Sequence, residues 1–276
     1  MNGPPGNLDG FTRSPFSHLG KTRDVFRIGS GPAVVVLHEI PGITPTVAAF
    51  ARRVAEAGFT AVCPVLVGTP GLPFSKRYAA RSFASVCISR EFNVFVAGKT
   101  SPVVTWLRAL AQAEHASNGG PGVGVVGMCF SGGFALAMAA DPVVIAPVMS
   151  QPSLPIVTAW RKGNVTALDC SAGELAELKG RMDEDLELCV VGYRFSGDAL
   201  VPKQRFARLE QELGDRFVGV TFDSSPGNPN GHPARAHSVL TEHLVESAAA
   251  DVIALFQRRL RPDSTPSEPG LTPDGN

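Results

Sequence analysis

The chain lacks a charge imbalance, a metal-binding cysteine pattern and any long apolar run. Lys plus Arg number 25 and Asp plus Glu number 25, a formal net charge of +0. A balanced surface has no field to attract a phosphate backbone or an anionic lipid leaflet, so neither nucleic acid nor membrane is an expected partner. No stretch reaches the roughly 18 apolar residues that span a bilayer. The opening residues, MNGPPGNLDGFTRSPF, hold no apolar core of a secretion signal. The five cysteines (Cys63, Cys87, Cys129, Cys170, Cys189) form no Cys-x-x-Cys pair, which argues against a zinc site or a disulfide frame. Scattered thiols suit a reducing compartment, and a soluble, cytoplasmic protein is expected. Charged residues make up only 18 % while hydrophobic residues make up 44 %, so a folded core can form. The 276 residues are enough for one α/β domain. No internal repeat is visible.

What is present is an alternation of short apolar runs with helical patterns. Residues 33–37 (AVVVL) and 59–64 (FTAVCP) read as buried strands. Residues 23–28, 143–149, 186–193 and 217–222 read as further strands. Residues 45–57, with Val47, Phe50 and Val54 at helical spacing and Gly58 after them, read as a helix. So do 101–115, 171–185, 202–213 and, more weakly, 78–95. A polar loop at 223–235 leads to an expected final helix over 237–259. Strands alternating with helices predict a mostly parallel sheet with helices on both faces. One domain is expected over 21–260, with a loosely ordered lead-in over 1–20 and a disordered tail over 261–276.

The chain is organised around residues 123–140, VGVVGMCFSGGFALAMAA. A Val-rich run breaks at Gly127 and restarts as a small-residue helix, with Cys129 at the break. This is the pattern of a nucleophile elbow, with Cys where the G-x-Ser-x-G motif has Ser. Small residues are needed there because the nucleophile sits on a strained turn with other backbone packed against it. Ser131 stands where the motif expects Gly. A buried, inert Cys is the alternative for such a position.

An acyl-transfer thiol needs a base, and the base needs a carboxylate to orient it. In this architecture the chain order is nucleophile, acid, histidine. Asp198 follows the second-last strand; a turn or helix-capping carboxylate is its alternative role. Both His232 and His237 lie after the last strand, where either can reach the carboxyl edge of the sheet. His237, followed by Ser and an apolar run at the start of the expected final helix, is the preferred base. His243 falls inside that helix and is expected at the surface.

The segments HEIPG (38–42), AVCP (61–64), GMCFSGG (127–133), GDALVP (197–202) and HSVL (237–240) together resemble the dienelactone hydrolase family, cysteine hydrolases of the α/β-hydrolase fold. The resemblance implies hydrolysis of an ester or lactone through a thioester acyl-enzyme. It puts the nucleophile on Cys129, the acid on Asp198 and the histidine on His237. It also implies an oxyanion hole from the backbone N–H groups of Phe130 and Ile40. Glu39 would contact the thiol and an arginine until substrate frees it to take the thiol proton. The family's substrate-binding arginine has no clean match by motif; Arg90 in SREF is the candidate, with a plain surface arginine as the alternative. A buried Glu39 paired with Arg90 or Arg81 is the alternative. No metal or organic cofactor is needed for this chemistry. A different class, a non-catalytic binding protein of the same fold, predicts an unreactive Cys129.

Overall fold

The computed structural model describes residues 8–88, 100–153 and 165–261. Its frame is an eight-stranded sheet in the order β1-β2-β4-β3-β5-β6-β7-β8. The strands are β1 Thr12–His18, β2 Lys21–Gly29, β3 Ala33–Leu37, β4 Thr60–Pro64, β5 Val123–Met128, β6 Val144–Ser150, β7 Val190–Phe195 and β8 Phe217–Phe222. β1 pairs antiparallel with β2, and β2 antiparallel with β4. From β4 onward every pairing is parallel. The architecture is the α/β-hydrolase fold.

The central strands are apolar throughout because helices cover both faces of the sheet. In β3, Ala33, Val35 and Leu37 join one core cluster, while Val34 and Val36 join the other. The first cluster is closed by α3 (Pro102–Asn118), α4 (Gly132–Met138), α5 (Ala172–Glu184) and α6 (Lys203–Leu213). The second is closed by α1 (Pro45–Glu56) and α7 (Glu246–Leu260). A further helix, α2, spans Lys76–Ile88. α1 starts cleanly because Thr44 Oγ1 accepts the Val47 N–H at 3.4 Å and Pro45 follows it.

Three expectations are corrected. The lead-in expected over 1–20 is structured from residue 8, and Thr12–His18 forms an edge strand. That strand is largely exposed, so no buried face leaves an alternating pattern, and Pro15 disguises it further. The final helix begins at Glu246, not at His237. In the intervening segment the backbone N–H groups of His237 and Ser238 point to His243 Nδ1, at 3.3 and 3.4 Å. Ser238 and Thr241 turn their hydroxyls inward to Glu39. Side-chain bonds of this kind compete with a helical ladder. The strand expected over 186–193 is Val190–Phe195, with Leu186 exposed before it. Residues 89–95 of the expected weak helix, and 262–276 of the expected tail, lie outside the described residues.

Candidate active site

β5 sits mid-sheet between β3 and β6, so whatever leaves its carboxyl end emerges at the centre of the sheet edge. Cys129 is the first residue after β5, and its φ is +56°, a left-handed conformation that non-glycine residues seldom adopt. A one-turn 3-10 segment, Cys129–Ser131, then leads into α4. A Cβ at Gly127 would lie 2.3 Å from the Ser131 carbonyl oxygen, so the turn closes only over glycine. Ser131 is buried beneath the bend. Its Oγ accepts the Met128 N–H at 2.9 Å and lies 3.1 Å from each of the Leu37 and His38 carbonyl oxygens. The Ser that departs from the motif therefore ties the elbow to the end of β3.

Asp198 follows β7 and is buried. Its Oδ1 accepts the Leu200 N–H at 2.9 Å, and its Oδ2 accepts from His237 Nδ1 at 2.6 Å. The close approach of the two segments depends on Gly197, where a Cβ would lie 2.3 Å from the Ala234 carbonyl oxygen. His237 Nε2 is buried without a hydrogen-bond partner. Burial opposes charge on this ring, but the sulfur of Cys129 and the Asp198 carboxylate outweigh it and hold its pKa well above the usual histidine value. Two residues 39 positions apart, Asp198 and His237, are thus brought into direct contact.

The other candidate base, His232, does not join them. His232 packs its ring against Phe195, at 5.0 Å between centroids, and Asn228 holds its backbone. His243, expected at the surface of a helix, instead accepts the two backbone N–H groups named above. Burial and the neighbouring His237 lower its pKa, which suits an acceptor. His38 is fully buried: its Nδ1–H donates to the Glu39 carbonyl at 2.8 Å, and its Nε2 accepts the Leu66 and Val67 N–H groups at 3.0 and 3.4 Å. Burial pushes its pKa down to about 4. Ile40 lies in the loop after β3, and Phe130 directly follows Cys129 after β5. Ser153 Oγ is 3.7 Å from the Cys129 sulfur. Arg90 lies outside the described residues.

A sequence model of the dienelactone hydrolase family matches residues 25–260. The chain belongs to the dienelactone hydrolase family. It is a hydrolase of the ester and lactone class, acting on small molecules. Solved structures share its fold at low identity. A dienelactone hydrolase from Anabaena variabilis is 13 % identical with a TM-score of 0.58, over 91 % of this chain and 98 % of that one. A dienelactone hydrolase-like promiscuous phosphotriesterase from metagenomic libraries is 17 % identical with a TM-score of 0.57, over 91 % and 98 %. An α/β serine hydrolase without a lid, from Xanthomonas campestris, is 14 % identical with a TM-score of 0.54, over 94 % and 98 %. No protein of curated function matches the chain by sequence.

The resemblance to the dienelactone hydrolases implied that Glu39 meets the thiol and an arginine. In this chain Glu39 is buried, and among the described residues Ser238 Oγ donates to it at 2.6 Å, Gln151 Nε2 at 3.2 Å, and Thr241 Oγ1 closely. Among the described residues it has no ion pair with Arg81 or any other cation. Gln151, Ser153 and Thr241 were not picked out in the sequence, and Ser238 served only as part of HSVL, since polar residues of these types carry no motif. The serine and threonine after His237 were the one available signal.

Within the described residues no helix is long and apolar enough to cross a membrane.

Proposed function

We propose that this chain is a carboxylic ester hydrolase that cleaves an ester or lactone through a thioester on Cys129. One observation carries the reading. His237 has Nδ1 on Asp198 at 2.6 Å, while Nε2 is buried without a partner at hydrogen-bond distance, and the Cys129 sulfur lies close enough to act on the ring by charge and hydrogen bonding. An imidazole held in this way can take one proton and return it.

In this reading Asp198 fixes the tautomer that leaves Nε2 as the acceptor. His237 takes the thiol proton, and the sulfur attacks the substrate carbonyl carbon, forming an S–C bond. The backbone N–H groups of Phe130 and Ile40 stabilise the negative oxygen of the tetrahedral intermediate. The C–O bond to the leaving alcohol breaks, and the alcohol takes the proton from His237. Water then attacks the thioester; His237 accepts the water proton and passes it back to sulfur as the acid leaves. In a lactone the alcohol and acid remain joined. Cys63, Cys129, Cys170 and Cys189 are all unpaired thiols, which supports a reducing compartment such as the cytoplasm.

The test compares wild type with Cys129→Ala, using p-nitrophenyl acetate turnover and stoichiometric labelling by iodoacetamide. Loss of both turnover and the label at residue 129 is expected. Full turnover by Cys129→Ala would refute the reading, and an unreactive thiol in wild type would favour a binding protein of the same fold.

A further inference from the structure

We propose that Glu39 and Gln151 are positioning residues that hold the segment bearing His237 over the nucleophile. The inference rests on the Cys129–His237 reading given above. It assigns Glu39 a different task from taking the thiol proton.

The two residues leave the carboxyl ends of β3 and β6, the strands on either side of β5. They therefore bracket the elbow. Each reaches the segment just after His237. Glu39 receives the hydroxyls of Ser238 and Thr241, one on each carboxylate oxygen. Gln151 donates its amide N–H to Glu39 Oε2 at 3.2 Å, and its Oε1 accepts the backbone N–H of Val239 at 3.1 Å. Ser150 Oγ donates to the same Oε1. Ser238 and Val239 are the two residues that follow His237, so the bonds fix the backbone on which the imidazole is mounted.

The burial argues that these bonds are essential to the arrangement. Gln151 is 0 % exposed and Glu39 is 4 % exposed, and an unsatisfied carboxylate or amide there would be costly. Gln151 also has φ of +36°, an unusual conformation for a residue with a side chain. Its backbone N–H is held in place by the Tyr193 carbonyl at 2.8 Å. The strained backbone is what sends the amide across to the segment after His237. Each oxygen of Glu39 receives a hydroxyl from the segment after His237, and one of them also receives the Gln151 amide, so its bonding among the described residues serves that segment.

The experiment separates an anchor from a proton acceptor. Steady-state kinetics with p-nitrophenyl acetate would be measured for Glu39→Gln, Glu39→Leu, Thr241→Ser, Thr241→Val and the pair Ser238→Ala/Thr241→Val, with thermal melting of each. Gln at 39 can still accept from a hydroxyl but cannot take the thiol proton, and Ser at 241 keeps the donor. The anchor predicts that Glu39→Gln and Thr241→Ser stay within about threefold of wild-type kcat. It predicts that the Ser238→Ala/Thr241→Val pair loses kcat by on the order of a hundredfold with KM little changed, the cost of misplacing a reacting group by about 1 Å. If Glu39→Leu does not fold, the hydroxyl variants carry the test. Glu39→Gln as inactive as Cys129→Ala, with Ser238→Ala/Thr241→Val at wild-type kcat, would overturn the anchor and leave the cysteine reading standing. Full turnover by Cys129→Ala would overturn both.

Discussion

His38 makes the stability of this protein depend on pH in a calculable way. The ring is fully buried, donates from Nδ1 to the Glu39 carbonyl and accepts two backbone N–H groups at Nε2. A proton added at Nε2 would face the Leu66 and Val67 N–H groups, donor against donor. Burial lowers the pKa from the ordinary 6.5 to about 4, partly offset by the bond to Glu39. The unfolded chain takes up this proton as pH falls through 6.5, while the folded chain refuses it until about 4. The contribution of neutral His38 is thus fully present above 6.5 and is lost progressively as pH falls toward about 4. At about 1.4 kcal/mol per pH unit, the loss amounts to ~3 kcal/mol. Other carboxylates titrate in the same window, so the measurement is a difference. Urea unfolding of wild type and His38→Gln, followed by far-UV circular dichroism from pH 7 to pH 4, isolates it. Wild type should be the more stable at pH 7, and its advantage should shrink by about 3 kcal/mol at pH 4. An advantage that stays constant with pH would refute the reasoning.

Three further outcomes are expected. Gly197→Ala places a Cβ 2.3 Å from the Ala234 carbonyl and pushes the segment bearing His237 away from Asp198; kcat should fall by about a hundredfold, with the urea midpoint lowered far less than by a core substitution. Asp169→Asn removes the charge facing Arg205, which is fully buried and bonded to Asp169 at 2.6 Å; the uncompensated guanidinium should cost about 3–5 kcal/mol in urea unfolding. His237→Gln should slow alkylation of Cys129 by iodoacetamide at pH 7 by about tenfold or more, as read by mass spectrometry at residue 129. Burial pushes the thiols of Cys63 and Cys170 up to about 12, so they should not compete for the reagent.

The parts of the fold that were legible in the sequence are those buried on both faces. AVVVL and VGVVGM leave no doubt as strands because each side chain meets a core. β1 was missed for the opposite reason, since TRSPFSH is an exposed edge. The elbow was legible because its glycines answer to a steric demand within a few residues. The anchor of the His237 segment was not, because Glu39 meets Gln151, Ser238 and Thr241 across separations of 112, 199 and 202 residues. Local spacing says nothing about contacts so distant. The same holds for the start of α7: Val239, Leu240 and Leu244 have helical periodicity, but inward hydrogen bonds from Ser238 and Thr241 prevail over it.

In the proposed mechanism the sulfur, the carboxylate and the imidazole are spread over residues 129, 198 and 237, just after β5, just after β7 and in the long segment between β8 and α7. During synthesis the bend holding Cys129 can form while the imidazole is still unmade. A nascent chain stopped short of residue 237 would therefore present a thiol with nothing to draw off its proton. If the proposed mechanism holds, esterase turnover requires the chain through residue 237, and a shorter folded intermediate would register as silence.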